Sequence, residues 1–160
     1  MKLFLKTALF TLIVPNTVAV LVPLYLARDR TAGGGISLGL AVGLWGIGLA
    51  IYLRCAWDFA AFGKGTPVPI DLPKRLVVRG FYRYTRNPMY VAVLTVIAGW
   101  ATLFGAPILV VYGVVVFIIF YLAVRLYEEP HLAREFGEEY AEYTERVGRW
   151  LPRIGRRDAN

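Results

Sequence analysis

Three stretches of this 160-residue chain carry no charge: Thr7 to Ala27, Thr31 to Leu53 and Asn87 to Val124. A bilayer core takes roughly 20 consecutive apolar residues per helix. A soluble surface helix interrupts such a run with polar residues on its outer face. The first two stretches are each long enough for one span, and the third for two. Composition agrees, with 58% hydrophobic and only 18% charged residues against about 25% charged in a soluble domain. The expected fold class is all-α. It is an integral, multi-pass membrane bundle of about four transmembrane helices, forming a single domain over residues 1–160. The spans are expected near 5–27, 35–55, 88–104 and 107–126, with an interfacial connector before the third and an amphipathic tail helix near 128–147. Lys2 and Lys6 precede the first run as in a signal peptide. That run is longer than the usual h-region of about 7–15 residues, so it is read as a retained span. Pro15 and Pro23 lie within it, and membrane helices tolerate proline.

Charge orients the bundle. Of the 18 Lys and Arg residues, only Arg28 and Arg30 fall between the first two spans; the rest lie in the N-terminal stub, the long second loop and the tail. Basic flanks stay on the cytoplasmic side, so both termini, the second loop and the tail are expected there. The net charge of +7 therefore belongs to the membrane surface, and no nucleic-acid partner is expected. Leu72 to Tyr84, LPKRLVVRGFYRY, mixes cations with Leu, Val, Phe and Tyr as an interfacial segment does. Membrane lipids are the expected surroundings.

Several chemistries are excluded. Cys55 and His131 are the only cysteine and histidine, so no intramolecular disulfide, cysteine zinc site or paired-histidine metal site can form. Gly33-Gly34-Gly35 has no strand before it and no Lys-Ser/Thr after it, and Gly63-Lys64-Gly65 opens no helix. Phosphate-loop and Rossmann designs are thereby absent. Gly39, Gly43, Gly46 and Gly48 are read as small residues that let the second span approach its neighbours.

Phe104-Gly105-Ala106-Pro107 makes a tight hairpin of the third and fourth spans. Residues just before one and just after the other then meet at one membrane face: Arg83, Tyr84, Arg86, Asn87 and Tyr90 from one end, Arg125, Glu128 and Glu129 from the other. Ionisable groups at membrane depth are expensive and are read as functional, the bland alternative being a salt bridge that pins the hairpin. In the tail, Leu132, Phe136, Tyr140, Tyr143 and Val147 form one apolar stripe. Glu128 and Glu129 lie before it, and Arg146 and Arg149 after it, as the helix dipole prefers. Arg54 and Asp58 are read as an exposed interfacial pair, with a part in an acceptor entrance as the alternative.

Arg86-Asn87-Pro88-Met89-Tyr90, followed by an apolar hairpin and Glu128-Glu129, resembles the pattern shared by isoprenylcysteine carboxyl methyltransferases and phospholipid N-methyltransferases. Gly80-Phe81-Tyr82-Arg83-Tyr84 resembles the family's lead-in. Phe136-Gly137-Glu138-Glu139-Tyr140 and Trp150-Leu151-Pro152-Arg153 resemble its tail. The resemblance covers residues 72–153, half the chain. It implies an S-adenosylmethionine-dependent methyltransferase with a cytoplasmic-face pocket for that cofactor. By position, Gly80, Tyr84, Arg86, Asn87, Pro88, Tyr90, Glu128 and Glu129 would form the cofactor site, and Glu128, Glu129 and Arg125 the catalytic group. The family often carries His where this chain has Asn87, so a mechanism that needs an imidazole there does not carry over. Arginine suits the cofactor carboxylate and glutamate its amine or hydroxyls. An amine acceptor must lose a proton, making Glu128 or Glu129 the candidate base, whereas a carboxylate acceptor needs none. The expected acceptor is a lipidic or isoprenoid molecule entering from the bilayer. A nicotinamide-dependent membrane reductase and a scaffold without catalysis are the alternatives.

Overall fold

The computed structural model describes residues 14–63 and 75–153, and within them every regular element is a helix. Residues 5–13 of the expected first span and 64–74 of the connector lie outside the described residues. Helix α1 spans Val14–Leu26, α2 Ile36–Asp58, α3 Pro88–Phe104, α4 Pro107–Ala123 and α5 Glu129–Arg146. A wide π-helical turn, Val124–Glu128, joins α4 to α5 without a break. The outward faces of α2 and α4 are aliphatic, with Leu40, Leu49, Leu53, Val110, Val114 and Ile118 all exposed. A water-soluble protein does not leave so continuous an apolar surface uncovered, and a bilayer covers it. α2 and the Pro107–Arg146 helix are long and apolar enough to cross a membrane; α1 and α3 are shorter apolar helices. The molecule is a helical membrane bundle.

Proline shapes α1. Pro23 has no N–H, so the carbonyls one turn earlier need other donors. The Trp100 indole donates to the Ala19 carbonyl and the Tyr112 hydroxyl to the Val18 carbonyl, each at 2.8 Å. The backbone around Thr17–Leu21 widens into a π turn at this point. Unpaired carbonyls are costly in hydrocarbon, so these two bonds also fasten α1 to α3 and α4.

The tightest helix contact is α2 against α3. A Cβ on Gly48 would stand 2.8 Å from the Ala92 carbonyl oxygen and 2.7 Å from Val96 Cγ2. Gly39, Gly43 and Gly46 meet nothing within 4 Å. The expected glycine-lined packing face is thus corrected to one residue, because only Gly48 of these four lies on the arc that faces α3. Gly48→Ala is expected to destabilise the bundle by about 1–3 kcal/mol, since a backbone oxygen cannot step aside. Thermal unfolding in detergent checks this, with Gly43→Ala, expected to be silent, as the control.

The α3–α4 hairpin closes on Gly105, which caps α3 in the left-handed conformation at φ 55°. Pro107 then starts α4, where its missing N–H costs nothing. On the same side, the Gly33 N–H donates to the Leu103 carbonyl at 2.8 Å and ties down the α1–α2 loop. The tail helix is not a separate element. It continues α4 through the π turn, and its break lies inside it, at Gly137 (φ 50°, ψ −118°). Its expected stripe still packs as one cluster, with Leu132, Phe136, Tyr140, Tyr143 and Val147 gathered against Leu76.

Candidate active site

The start of α3 and the end of α4 lie together, and the last described residues fold back over them. The Arg86 N–H donates to the Gly148 carbonyl at 2.9 Å. The Thr85 hydroxyl and the Asn87 side-chain amide both donate to the Arg149 carbonyl, each at 3.0 Å. Pro88 then begins α3 and is fully buried. The residue before a proline favours extended backbone, and Asn87 leaves the helical region there at φ −126°, ψ 50°. The Arg-Asn-Pro sequence is therefore a corner, stitched to the segment after α5.

At this corner Glu129 sits between two guanidinium groups. Arg149 Nε and Nη2 donate to its two oxygens at 2.7 Å each, and Arg86 Nη1 lies 2.9 Å from Oε1. Arg86 also reaches the Tyr140 hydroxyl at 3.4 Å. The Arg86 and Glu129 side chains are only 11% and 16% exposed, so the clasp is largely dry. In such surroundings a charged pair holds only with good geometry, and the Arg149–Glu129 pair is bidentate. Hydrogen bonding to Glu129 raises the Arg149 guanidinium above its ordinary range, so it stays charged.

Glu128 lives differently. It accepts a hydrogen bond from the Tyr90 hydroxyl and pairs with no cation among the described residues. Burial pushes its carboxyl above the ordinary carboxylate range; the Tyr90 bond lowers it, and the charge of Glu129 adds to the rise. The π turn at Val124–Glu128 widens the helix just before the pair, and both carboxylates line one cavity. Two adjacent glutamates thus have opposite environments, one locked by arginines and the other poised to take or keep a proton.

The cavity holds about 320 Å³, within the roughly 300–1,000 Å³ of small-ligand pockets. Arg86, Asn87, Tyr90, Glu128, Glu129 and Tyr140 supply its polar end, and Val18, Tyr52, Met89, Val93 and Phe120 are among its walls. Arg86 Nε is buried with no hydrogen-bond partner among the described residues, in a place where an unmet donor is costly. Among the described residues no cluster of metal-ligating side chains occurs.

The sequence expectations separate here. Arg86, Asn87, Tyr90, Glu128 and Glu129 share the cavity. Tyr84 is 61% exposed and stands outside it. Arg125 is exposed too, donating to the Tyr121 hydroxyl one turn back, and does not line the cavity. Gly80 and Pro88 shape the connector and the corner without lining the cavity. Arg149, read as a helix-dipole partner, instead reaches back to Glu129. Asp58, read as exposed, is completely buried between Arg54 and Arg79, because the Arg79–Tyr84 connector folds over the end of α2. Arg149→Lys, which keeps the charge and loses the fork, is expected to lower stability by roughly 1.5–3 kcal/mol. Arg125→Ala is expected to stay within about 0.5 kcal/mol of wild type. Unfolding midpoints of the two proteins, compared side by side, check both.

The sequence pattern of phospholipid methyltransferases matches residues 36–139. The chain belongs to the phospholipid methyltransferase family. The match runs from the start of α2 into α5, so it includes the corner at Arg86–Tyr90 and both glutamates, while Tyr140 and Arg149 lie beyond it. No curated protein matches the chain. Family membership makes this a membrane methyltransferase with lipid substrates, and the scaffold and reductase alternatives give way to that activity.

Proposed function

We propose that this phospholipid methyltransferase family member uses S-adenosylmethionine to methylate the amine of a membrane-dissolved acceptor, with Glu128 as general base. The observation that carries the reading is the unequal pair of glutamates at the polar end of an otherwise apolar cavity. S-adenosylmethionine supplies, when bound, an electrophilic methyl group on a positively charged sulfur. Arg86, at the polar end of the cavity, fits a carboxylate, and Asn87 and Glu129 offer groups for the amine and hydroxyls. Arg149 acts through Glu129 as a positioning residue. The apolar walls keep water from the reacting atoms and strengthen the polar contacts inside. Of the two carboxylates that line the cavity, Glu128 is free to accept a proton from an ammonium, and Tyr90 holds it in place. A carboxylate acceptor would leave Glu128 without a task, and this favours the amine.

The charge distribution supports a multi-pass topology with both termini and the cavity on the cytoplasmic side. A cysteine placed at Gly34 in a Cys55→Ala background should react with an impermeant label in intact cells. One placed at Arg153 should react only after permeabilisation, and the reverse pattern would overturn the orientation.

Calorimetry of the purified protein with S-adenosylhomocysteine tests the cofactor reading. Binding that Arg86→Ala weakens about tenfold or more, as loss of a charged hydrogen-bond donor predicts, supports it. No binding to folded wild-type protein in lipid nanodiscs would overturn it.

A further inference from the structure

A second charged cluster lies outside the cavity, where the end of α2 meets the connector. Asp58 is fully buried there, with Arg54 Nε 3.4 Å from one oxygen and Arg79 Nε 3.9 Å from the other. Gly80 makes the close approach possible. Its φ is +58°, and a Cβ there would stand 2.3 Å from Asp58 Oδ2.

As a structural staple this cluster is poorly built. Among the described residues neither carboxylate oxygen of Asp58 has a hydrogen-bond partner, and each arginine faces it through its Nε. The clasp on Glu129, by contrast, has two 2.7 Å bonds to one guanidinium. As a receptor the cluster is well built. Using Nε inward leaves the terminal amino groups of both forks unengaged among the described residues, and the two side chains are 52% and 49% exposed. Phe62 holds the Arg79 guanidinium in place, its ring 3.7 Å below the central carbon. One buried carboxylate thus orients two guanidiniums, and the local charge remains +1. Paired arginine forks match the oxygens of a phosphate.

The depth of the cluster identifies the source of that phosphate. It closes a membrane helix, flanked by the exposed aromatic rings of Trp57 and Phe62, which belong at headgroup level. Arg75 and Arg83 are exposed on the same connector. Basic pockets at helix ends on this face of a membrane take phosphorylated lipid headgroups.

We infer that Arg54 and Arg79, oriented by Asp58, form a binding site for the phosphate of an anionic membrane lipid. The site is separate from the methyl-transfer cavity and does not rest on that reading.

The test uses the full chain in non-ionic detergent, titrated by calorimetry with didecanoyl phosphatidate. Didecanoylglycerol is the neutral control and inorganic phosphate the soluble competitor. The phosphatidate is expected to bind, about tenfold or more weakly in Arg54→Gln and in Arg79→Gln, and more weakly as salt rises. Arg79→Lys, which keeps the charge without the fork, is expected to fall between. Inorganic phosphate should compete only at far higher concentration. Equal binding of the neutral lipid, or unchanged phosphatidate binding by both Gln variants, would overturn the site. Inorganic phosphate binding as tightly as the lipid would overturn the lipid assignment. S-adenosylhomocysteine binding and the unfolding midpoint, measured on the same proteins, certify the fold of each variant. They also keep a failure of the cofactor reading apart from a failure of this one.

Discussion

Glu129→Ala is expected to destabilise the protein by about 3–5 kcal/mol, the usual cost of removing one partner from a buried charged cluster. Glu129 pairs with two guanidiniums, and one of them, Arg86, is only 11% exposed. Without the carboxylate, Arg86 remains in a dry site with the Tyr140 hydroxyl as its one side-chain partner among the described residues. Arg149 loses its hold on the helix, and the stitch between Thr85–Asn87 and Gly148–Arg149 loses its side-chain anchor. S-adenosylhomocysteine binding should fall with it. Thermal unfolding in detergent measures the first effect and calorimetry the second. Adding Arg86→Met should recover part of the stability, because the stranded charge is then gone. A midpoint unchanged in the single variant would mean that water already solvates the clasp.

Glu128→Gln is expected to act in the opposite sense on stability and strongly on turnover. Burial raises the Glu128 carboxyl above its ordinary range in the folded protein. The folded state therefore binds this proton more readily than the unfolded one. Stability falls as pH rises from the ordinary carboxylate range through the raised value, and above it the protein carries the cost of a buried charge. Gln removes that cost and still accepts the Tyr90 hydrogen bond, so the unfolding midpoint at neutral pH should rise. Turnover of an amine acceptor should fall by about 10²–10⁴, the usual contribution of a general base, with S-adenosylhomocysteine binding little changed. The pH profile separates this role from a structural one. The wild-type rate should rise with pH through the raised Glu128 value. The variant should lose that limb and follow only the fraction of acceptor already deprotonated in solution. Wild-type turnover by Glu128→Gln at saturating cofactor would remove Glu128 as the base.

The helical membrane class was legible because it depends on composition over long windows. Runs without charge, and prolines and glycines at their ends, constrain a chain in lipid whatever its tertiary detail. The hairpin turn at Gly105-Ala106-Pro107 was legible for the same local reason. Half of the site was legible as well. Arg86, Asn87, Tyr90, Glu128 and Glu129 flank an apolar hairpin too short to let them part, so their meeting follows from connectivity.

Arg149 was not legible, since nothing local signals that the chain reverses after Arg146 and lays this side chain against Glu129. Asp58 was misread because its neighbours in sequence are interfacial, while the residues that bury it, Arg79 and Gly80, come from beyond the following loop. Tyr84 and Arg125 were included by proximity in sequence. Neither lines the cavity, because closeness in sequence to lining residues does not fix where a side chain packs.

The sequence by itself therefore determined the solvent this protein lives in, the membrane class of its fold and the pair of chain segments that meet at its polar end. Only the tertiary structure decided which of two adjacent glutamates is locked and which is free. That distinction rests on which cations come within about 3 Å of each carboxylate, and distances between residues remote in the chain exist only once the chain has folded.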